Sequence, residues 1–316
     1  MNDLQPEDIK PLSLADRQMV AAYLERHPGE LSEFTFTNLY AWHGKRQIYR
    51  SIVKEHLLFF IATGTGTPDK MVLFGPPFGP GPIEKILAAV RPRLSGATRV
   101  PHYLVVPLQD LGFTLRPDRD NADYLYARKD LAELAGRKYA KKRNHIKQCL
   151  QEYQCDYEPI STVNLEECLA LQEEWCRLKG CFEEPGLEGE YHAILETFAH
   201  YEELPLIGGA IRLNGSIKAF ALGERLNRTT AVWHFEKAHP HIPGLGQLIN
   251  QWFAKFSLND FELINREQDL GIAGLRQAKE SYYPLRLVPK WTTLPPGYPP
   301  LRIYSPSEKV SSSLPC

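Results

Sequence analysis

The segment NREQDLGIAGLRQAKESYYP, Asn265 to Pro284, brings together side chains that can move protons and hold anions. Glu267 and Asp269 can serve as a base or hold an amine, and Tyr282 can donate a proton to a leaving group. The residues predicted here to hold an acidic group or a phosphate are Asn265, Arg266, Arg276 and Lys279. This combination predicts the wall of a group-transfer site. The alternative is an internal ion-pair network, such as Asp269 with Arg276, that only fixes a loop.

A second candidate is the basic segment GRKYAKKRNHIKQ, Gly136 to Gln148, in which six Lys or Arg fall within eleven residues. On a helix, Lys138, Lys141, Lys142 and His145 share a face. Such a patch in a protein of net charge −1 predicts binding to the phosphates of a coenzyme or an RNA acceptor stem. The predicted donor contacts are Lys142, Arg143, Asn144 and His145. A solvated linking helix is the alternative.

A third candidate is the segment HIPGLG, His241 to Gly246, between a predicted strand and a predicted helix. Gly244 and Gly246 can present backbone N–H groups to an anion at the helix N-terminus, and His241 can add a donor. The alternative is a tight connection that needs glycine for its backbone angles alone.

No metal site is predicted. His234, His239 and His241 fall within eight residues, but no carboxylate spacing completes a ligand set. The six cysteines include no C-x-x-C pair and are expected to be free thiols.

The elements that must position these residues follow a similar order in each half of the 316-residue chain. Each half shows helices, an antiparallel meander of three strands, a helix and a further strand. A buried strand is predicted at HYLVVP in the first half, and the NGS turn predicts strand pairing in the second. The predicted fold class is therefore α/β (α+β), with a mixed, mostly antiparallel sheet flanked by helices in each half.

The length favours two domains, because a single core stops growing near this size. We predict an N-terminal domain over residues 1–135, a basic linking helix over 136–153 and a C-terminal domain over 154–295. The Pro- and Ser-rich residues 296–316 are expected to form a flexible tail. If Gly274 to Tyr283 is helical, Leu275, Ala278 and Tyr282 share one stripe, and Arg276, Lys279 and Tyr283 share another.

The composition indicates in which compartment of the cell the chain is expected. No apolar run approaches the roughly 18 residues of a transmembrane helix, so no transmembrane segment is expected. The N-terminal segment MNDLQPEDIK has no basic region followed by an apolar one, as a secretory signal would. The predicted location is cytoplasmic.

The second half resembles the GNAT acyltransferase fold. In that superfamily the glycine-rich loop holds the coenzyme A pyrophosphate, which implies this role for His241, Gly244 and Gly246. A tyrosine four residues after an alanine serves there as general acid, and Ala278 and Tyr282 match that spacing.

The motifs KKRNHI, NREQDLG, GLRQAK, SYYP and FTNLYAW resemble a bacterial family related to the C-terminal domain of phosphatidylglycerol lysyltransferases, over about residues 10–295. The resemblance implies two tandem GNAT-like domains, as in aminoacyl-tRNA-dependent transferases such as the peptidoglycan bridge-forming enzymes. The lysyltransferases move lysine from a charged tRNA to a lipid headgroup.

The resemblance implies an acyl or aminoacyl transferase. Its donor would be a charged tRNA, or coenzyme A as an acyl-CoA co-substrate, with no tightly bound cofactor. Its acceptor would be an amine or hydroxyl on a small molecule or a lipid headgroup. The alternative is a non-catalytic ligand- or RNA-binding module on the same fold. The oligomeric state is left open.

Overall fold

A computed structural model describes residues 8–62 and 70–294 of the chain. The predicted tail, residues 296–316, lies outside the described residues. The described part folds into two large sheets and one small sheet, with helices packed against them. The predicted fold class, mixed and mostly antiparallel sheets flanked by helices, is confirmed.

The first sheet is formed by consecutive strands. They are β1 (Lys10–Pro11), β2 (Ile48–Val53), β3 (His56–Ala62), β4 (Met71–Phe74) and β5 (Leu94–Thr98), in the order β1-β2-β3-β4-β5. β4 and β5 are parallel, and the other neighbours are antiparallel. The helices of this region are α1 (Arg17–Arg26), α2 (Phe36–Ala41), α3 (Ile83–Val90) and α4 (Val105–Asp110). Both faces of the sheet are covered, because alternate residues of β3 enter two different core clusters.

Strand β6 (Leu115–Pro117) precedes the strands of the second sheet along the chain. The strands of the second sheet are β7 (Asp123–Ala127), β8 (Cys155–Pro159), β9 (Leu206–Leu213), β10 (Ser216–Arg225), β11 (Thr230–Ala238), β12 (Leu263–Asn265) and β13 (Arg286–Val288). Their order is β13-β7-β12-β11-β10-β9-β8, and only β11 and β12 are parallel among the described neighbours. The helices are α5 (Arg128–Glu133), α6 (Ala140–Glu152), α7 (Leu165–Lys179), α8 (Pro185–Ala199), α9 (Leu245–Trp252) and α10 (Ala273–Glu280).

The two halves of the chain exchange strands. β7, which precedes the predicted boundary at residue 135, lies inside the second sheet between β12 and β13. The last described strand, β14 (Trp291–Thr293), returns to pair with β6, and Trp291 also bridges to Val100 after β5. Residues from both sides of residue 135 therefore build each region, and the division into two tandem domains stays a prediction.

The buried strand predicted at HYLVVP is wrong. His102–Leu104 form a 3₁₀ turn that continues into α4. Leu104 and Leu108 are buried one helical turn apart, which is the period of a helix and not of a strand. Pro107 lies in the first turn of α4, where its missing N–H leaves no hydrogen bond unmade.

Two further features concern cysteines and membrane spans. Cys176 and Cys181 are joined by a disulfide, so the expectation of free thiols is wrong for this pair. The thiols of Cys149, Cys155 and Cys168 are free. Among the described residues, no helix combines the length and the apolar character needed to cross a bilayer.

Candidate functional site

The candidate site lies where the parallel strands β11 and β12 separate, and we call the gap between them the cleft. The strands pair only from Thr230 with Leu263 to Val232 with Asn265. Beyond this point β11 continues to Ala238, whereas the chain after Asn265 turns away. Glu267 takes a left-handed backbone conformation there, with φ of 56°, which is unusual for a residue with a long side chain.

Three cations from different elements converge at this cleft. The Arg266 guanidinium lies 4.7 Å from the Trp233 ring centroid and 5.2 Å from that of Tyr282. Lys142 Nζ, from α6, lies 3.7 Å from the Tyr282 ring centroid and donates to Ser281 Oγ at 2.8 Å. Lys279, from α10, donates to the backbone carbonyl of Arg266. We call Lys142, Arg266 and Lys279 the cationic cluster.

The two lysines of the cationic cluster lack a carboxylate at ion-pair distance among the described residues. Arg266 donates to Glu236 Oε2 at 2.9 Å, but in the described part of the chain neither lysine forms an ion pair with a carboxylate. Burial, followed by the charge of Arg266, lowers the pKa of Lys142 and that of Lys279 to about 8. A bound carboxylate or phosphate would offset this repulsion, so the arrangement suits an anionic ligand.

Tyr282 lies between two members of the cluster. Its ring is nearly buried, and its backbone carbonyl accepts a hydrogen bond from Tyr139 Oη at 2.9 Å. Burial raises the pKa of the Tyr282 phenol, and nearby Arg266 opposes the rise only in part. The phenol therefore keeps its proton at neutral pH and is able to donate it.

Glu267 is held by a buried histidine. Its Oε1 accepts from His234 Nδ1 at 2.8 Å and from Asn38 Nδ2, on α2, at 3.0 Å. The other ring nitrogen, His234 Nε2, lies 2.9 Å from Glu224 Oε1 on β10. We call Glu224, His234 and Glu267 the histidine relay. Because both ring nitrogens face carboxylates, the imidazole donates from both and is positively charged.

The charge on His234 follows from its partners. Burial alone would lower the pKa of the imidazole, but hydrogen bonds to Glu224 and Glu267 outweigh burial and raise it to about 9. The sequence analysis considered His234 only as a metal ligand, rejected that role and gave it no other. Its partnership with Glu224 depends on a bulge at Leu222/Gly223 in the pairing of β10 with β11, which has no signal in residue spacing.

The histidine relay predicts a pH dependence of stability. Because the pKa of His234 is higher in the folded chain than in the unfolded chain, its proton stabilises the fold. This contribution is complete below pH 6.5, the ordinary pKa of histidine, and is lost as the pH rises through about 9. The contribution is on the order of 3 kcal/mol at 1.36 kcal/mol per pKa unit. Urea unfolding should show the stability of the wild type falling between pH 6.5 and about 8, above which Lys142 and Lys279, whose pKa values are lowered to about 8, also lose protons. In His234→Gln the fall should be mostly absent, and an unchanged slope would contradict the prediction.

Asp269 and Arg276 form the ion pair that was the alternative to a catalytic role. Asp269 Oδ2 accepts from Arg276 Nε at 2.8 Å, from Tyr124 Oη at 2.6 Å and from Arg119 at 2.9 Å, and Oδ1 accepts from Gly271 N at 2.9 Å. Burial would raise the Asp269 pKa, but these donors hold it well below its usual range. These contacts support an anchoring role for both residues, and their place in catalysis or ligand binding stays a prediction.

The basic segment contributes one side chain to the cluster. Lys142 reaches the cleft, whereas Arg143 donates to the backbone carbonyls of Leu134 and Gly136 at 2.5 and 2.7 Å and so closes the end of α5. Asn144 is exposed and points to no partner in the described chain, and His145 is half-buried. A donor-binding role for Arg143, Asn144 and His145 stays a prediction.

The glycine-rich segment lies against α6. Gly244 has φ of 83°, and a Cβ there would lie 2.2 Å from the carbonyl oxygen of His145. This close approach explains the glycine by packing. Gly246 has open space around its Cα, and His241 is exposed. A role of this segment in holding a donor stays a prediction.

Asn265 anchors the start of the cleft to a buried ionic cluster that the sequence did not predict. Its Nδ2 donates to Asp123 Oδ2 at 3.1 Å, and its Oδ1 accepts from Glu267 N at 2.9 Å. Lys290 Nζ lies 2.6 Å from both Asp123 Oδ1 and Glu33 Oε2. We call Glu33, Asp123 and Lys290 the interface lock, because it joins the second sheet to the loop ahead of α2.

The mixed, mostly antiparallel second sheet, with its parallel pair β11 and β12, agrees with the GNAT-like fold that the sequence resembles. The chain belongs to the family described as "Phosphatidylglycerol lysyltransferase, C-terminal", which matches residues 24–293 and confirms the resemblance found in the sequence. The family supports an aminoacyl- or acyl-transferase-like function.

Solved structures agree with this fold. A conserved protein from Bacteroides thetaiotaomicron is 32% identical with a TM-score of 0.81, covering 90% of this chain and 98% of that one. L-PGS from Bacillus licheniformis is 16% identical with a TM-score of 0.61, covering 90% and 93%. The C-terminal domain of an Agrobacterium fabrum protein is 14% identical with a TM-score of 0.61, covering 89% and 92%. A comparison with curated proteins finds no significant match.

Proposed function

We propose that this chain transfers an aminoacyl or acyl group to an amine or hydroxyl acceptor in the cleft between β11 and β12. The observation that carries the proposal is the cationic cluster, in which Lys142 and Lys279 are half-buried and form no ion pair with a carboxylate in the described part of the chain. The charge of Glu267 acts on Lys279 and raises its pKa against the effect of burial. The same site can therefore bind an anionic substrate and supply a general base.

The roles follow from the chemistry of acyl transfer. The acceptor nitrogen or oxygen attacks the donor carbonyl and forms the new bond, while its proton passes to Glu267. The bond between the carbonyl carbon and the tRNA oxygen or coenzyme A sulfur breaks, and Tyr282 gives the leaving atom a proton. The cationic cluster stabilises negative charge that develops during the reaction or is carried by the substrate.

We favour an aminoacyl-tRNA donor over acyl-CoA. Beyond Lys142, helix α6 and the turn ahead of it expose Arg137, Lys138 and Lys141, which can contact an RNA backbone. The glycine-rich segment, which an acyl-CoA would use, is packed at Gly244 against α6. The family name points to the same donor class, since lysyltransferases of this kind use charged tRNA.

A thermal-shift measurement tests the donor. Coenzyme A, acetyl-CoA and bulk tRNA are added separately, and a ligand at 100 times its Kd should stabilise the chain by roughly 2.7 kcal/mol. A shift with tRNA alone supports aminoacyl transfer, and a shift with coenzyme A moves the donor to HIPGLG. No shift with any of them favours a non-catalytic binding module, which transfer from any donor would in turn exclude.

The role of Tyr282 gives a separate prediction. Replacing Tyr282 with Phe should lower the transfer rate about 10²-fold, the lower end of the usual contribution of a general acid, because only the phenol proton is lost. The stability should change little, because the ring keeps its contacts with Lys142 and Arg266. Single-turnover rates and urea unfolding measure the two effects. Tyr283→Phe is the matched control, because that neighbouring ring is half exposed, and an unchanged rate in Tyr282→Phe would remove Tyr282 from the mechanism.

A further inference from the structure

His234 lies at an irregularity in the pairing of β10 with β11. In the register, Leu222 pairs with Phe235 and Gly223 pairs with Trp233, so His234 has no partner residue on β10. Trp233 packs in the core beneath α9, whereas Phe235 packs in the core formed with α7 and α8. In a regular strand these two residues would share a face. His234 is therefore the additional residue of a β-bulge.

Gly223 permits the two strands to approach closely at this bulge. A Cβ at this position would lie 2.5 Å from the backbone carbonyl oxygen of Val232, so a side chain has no room here. Bulges re-aim side chains beside functional sites. Here the bulge brings the His234 ring between Glu224, the residue after Gly223, and Glu267 of the cleft.

The carboxylate of Glu224 is energetically costly to bury. Its side chain is only 2% exposed, and in the described part of the chain its one side-chain partner is His234. A buried ion pair is often no more stable than apolar residues of similar volume. Stability of the fold alone therefore gives little reason for a glutamate at this position, whereas a function exerted through His234 accounts for it.

The two oxygens of the Glu267 carboxylate differ in their surroundings. Oε1 accepts hydrogen bonds from His234 Nδ1 at 2.8 Å and from Asn38 Nδ2 at 3.0 Å. Within the described part of the chain, Oε2 accepts no hydrogen bond. Because two donors already occupy Oε1, Oε2 is the oxygen that is free to take a proton.

The positive charge of His234 keeps its Nδ1–H directed at Glu267. A neutral imidazole has one N–H, which Glu224 and Glu267 would share, so Glu267 would lack its donor part of the time. An imidazolium donates to both carboxylates at once. Burial opposes this charge, but hydrogen bonds to Glu224 and Glu267 raise the pKa of His234 to about 9. Glu224 therefore maintains the proton that Nδ1 donates to Glu267.

We propose that Glu224 and His234 are positioning residues that hold Glu267 with Oε2 free for the acceptor group. In the transfer step, the N–H or O–H bond of the acceptor breaks as its nitrogen or oxygen bonds to the donor carbonyl carbon. The released proton forms an O–H bond at Glu267 Oε2. It stays there during the step, because His234 already carries both of its ring protons. The inference rests on the proposed function, in which Glu267 is the general base.

Other cations also act on Glu267 from neighbouring elements. Burial lowers the pKa of Lys279, on α10, to about 8 and that of Arg46, after α2, to about 10, and the charge of Glu267 opposes both effects. Arg266 precedes Glu267 in the chain. These three cations are unchanged when Glu224 is replaced, so an effect of that replacement is transmitted by His234.

NMR of the full chain with isotope-labelled histidines tests the arrangement without any donor. The His234 signals are assigned by their loss in His234→Gln. In the wild type, both ring nitrogens of His234 should carry a proton at about pH 7. In Glu224→Gln the size of the side chain is kept and its charge is lost, so the pKa of His234 should fall by about 1 unit or more. One protonated nitrogen in the wild type, or the same titration in both proteins, would overturn the proposal.

A double-mutant cycle tests the effect on transfer. Bulk tRNA charged with labelled amino acids and labelled acetyl-CoA serve as alternative donors, and hydroxylamine serves as the amine acceptor, with the reaction in the absence of protein subtracted. Glu224→Gln should lower the single-turnover rate at saturating donor about 10- to 100-fold. The affinity for the donor should change less than about twofold. In the background of Glu267→Gln, the further loss of rate should be less than about twofold, because Glu224 acts through Glu267.

Glu158→Gln is the matched control for the loss of a carboxylate. Glu158 also forms an ion pair in the second sheet, 2.8 Å from Arg212, but it lies on the edge strand β8. This variant should leave the transfer rate and the titration of His234 unchanged. Circular dichroism of every variant checks that it is folded.

The cycle also separates failure of this inference from failure of the proposed function. An unchanged rate in Glu224→Gln, or a full loss that persists in the background of Glu267→Gln, would contradict the positioning role. If Glu267→Gln alone leaves the rate unchanged, Glu267 is not the base and the proposed mechanism itself fails. If neither donor reacts, the proposed function fails, while the NMR titrations still decide whether Glu224 and His234 hold Glu267.

Discussion

Replacing Lys290 with Met is expected to lower the free energy of unfolding by about 3–5 kcal/mol. The Lys290 side chain is fully buried, and its Nζ lies 2.6 Å from carboxylate oxygens of both Glu33 and Asp123. Methionine removes the positive charge and leaves two buried carboxylates, which is more costly than removing the whole ionic group. Arg99 Nε remains 2.6 Å from Glu33 Oε1 and compensates only that partner. Urea denaturation at pH 7 measures the change as a lower midpoint at unchanged slope.

The loss of unfolding free energy in Lys290→Met should depend on pH, and this dependence is a second test of the role of Lys290. Burial would raise the pKa of Glu33, but Lys290 and Arg99 outweigh burial and lower it to about 2. A lowered pKa contributes stability above the unfolded value of 4.5, and the contribution is lost as pH falls through about 2. The gap between wild type and variant should narrow as the pH falls towards 2, because protonation of Glu33 and Asp123 removes the buried negative charges that the variant leaves unpaired. Lys85→Met, at an exposed site on α3, is the control and should change stability by less than about 0.5 kcal/mol. A deficit below about 1 kcal/mol in Lys290→Met would contradict the role of the interface lock.

Local signals were sufficient to predict the strands of the second-half meander. Asn214 and Gly215 adopt φ of 47° and 90°, as the NGS turn requires, and join β9 to β10. The strand at HYLVVP was misassigned because a short apolar run has the same composition in a buried strand and in a buried helix. The available signal for the helix was the four-residue spacing of Leu104 and Leu108, which lie on either side of Pro107.

The candidate site was predictable in its content and less so in its geometry. The charged segment after β12 does carry Arg266, Glu267, Lys279 and Tyr282 to one cleft. The sequence could not show that Asp269 and Arg276 would bind each other, because the ion pair and a ligand clamp use the same residue types. Lys142 reaches Ser281 across 139 residues of chain, and no local pattern specifies such a contact.

The orientation of α10 is also a feature that the sequence alone could not predict. The two stripes of the helix were visible in the sequence, but which of them faces inward is decided by distant partners. Asp269 lies in the preceding loop and Asp120 ahead of β7, and together they draw Arg276 inward. The apolar stripe is left outside as a consequence.

Replacing Glu267 with Gln is expected to lower the rate of group transfer by about 10²–10⁴-fold. The amide keeps nearly the same shape and still accepts a hydrogen bond from Asn38, but it cannot take a proton from the acceptor. Donor binding should change less than about twofold, because the cationic cluster is intact. Single-turnover transfer of a labelled group, with the donor identified by thermal shift, measures the rate, and titration of the same donor measures the affinity.

Glu262→Gln is the matched control, since this exposed glutamate directly precedes β12 and should be silent. The histidine relay allows a second measurement on Glu267→Gln, because His234 loses in this variant one of the two carboxylates that raise its pKa. NMR titration of His234 should therefore show a lower pKa in Glu267→Gln, whether or not Glu267 is the base. A lower pKa together with an unchanged transfer rate would keep Glu267 as the structural partner of His234 and assign proton removal to another group. A lower rate with the affinity for an amine-bearing donor also reduced would make Glu267 the group that holds the amine.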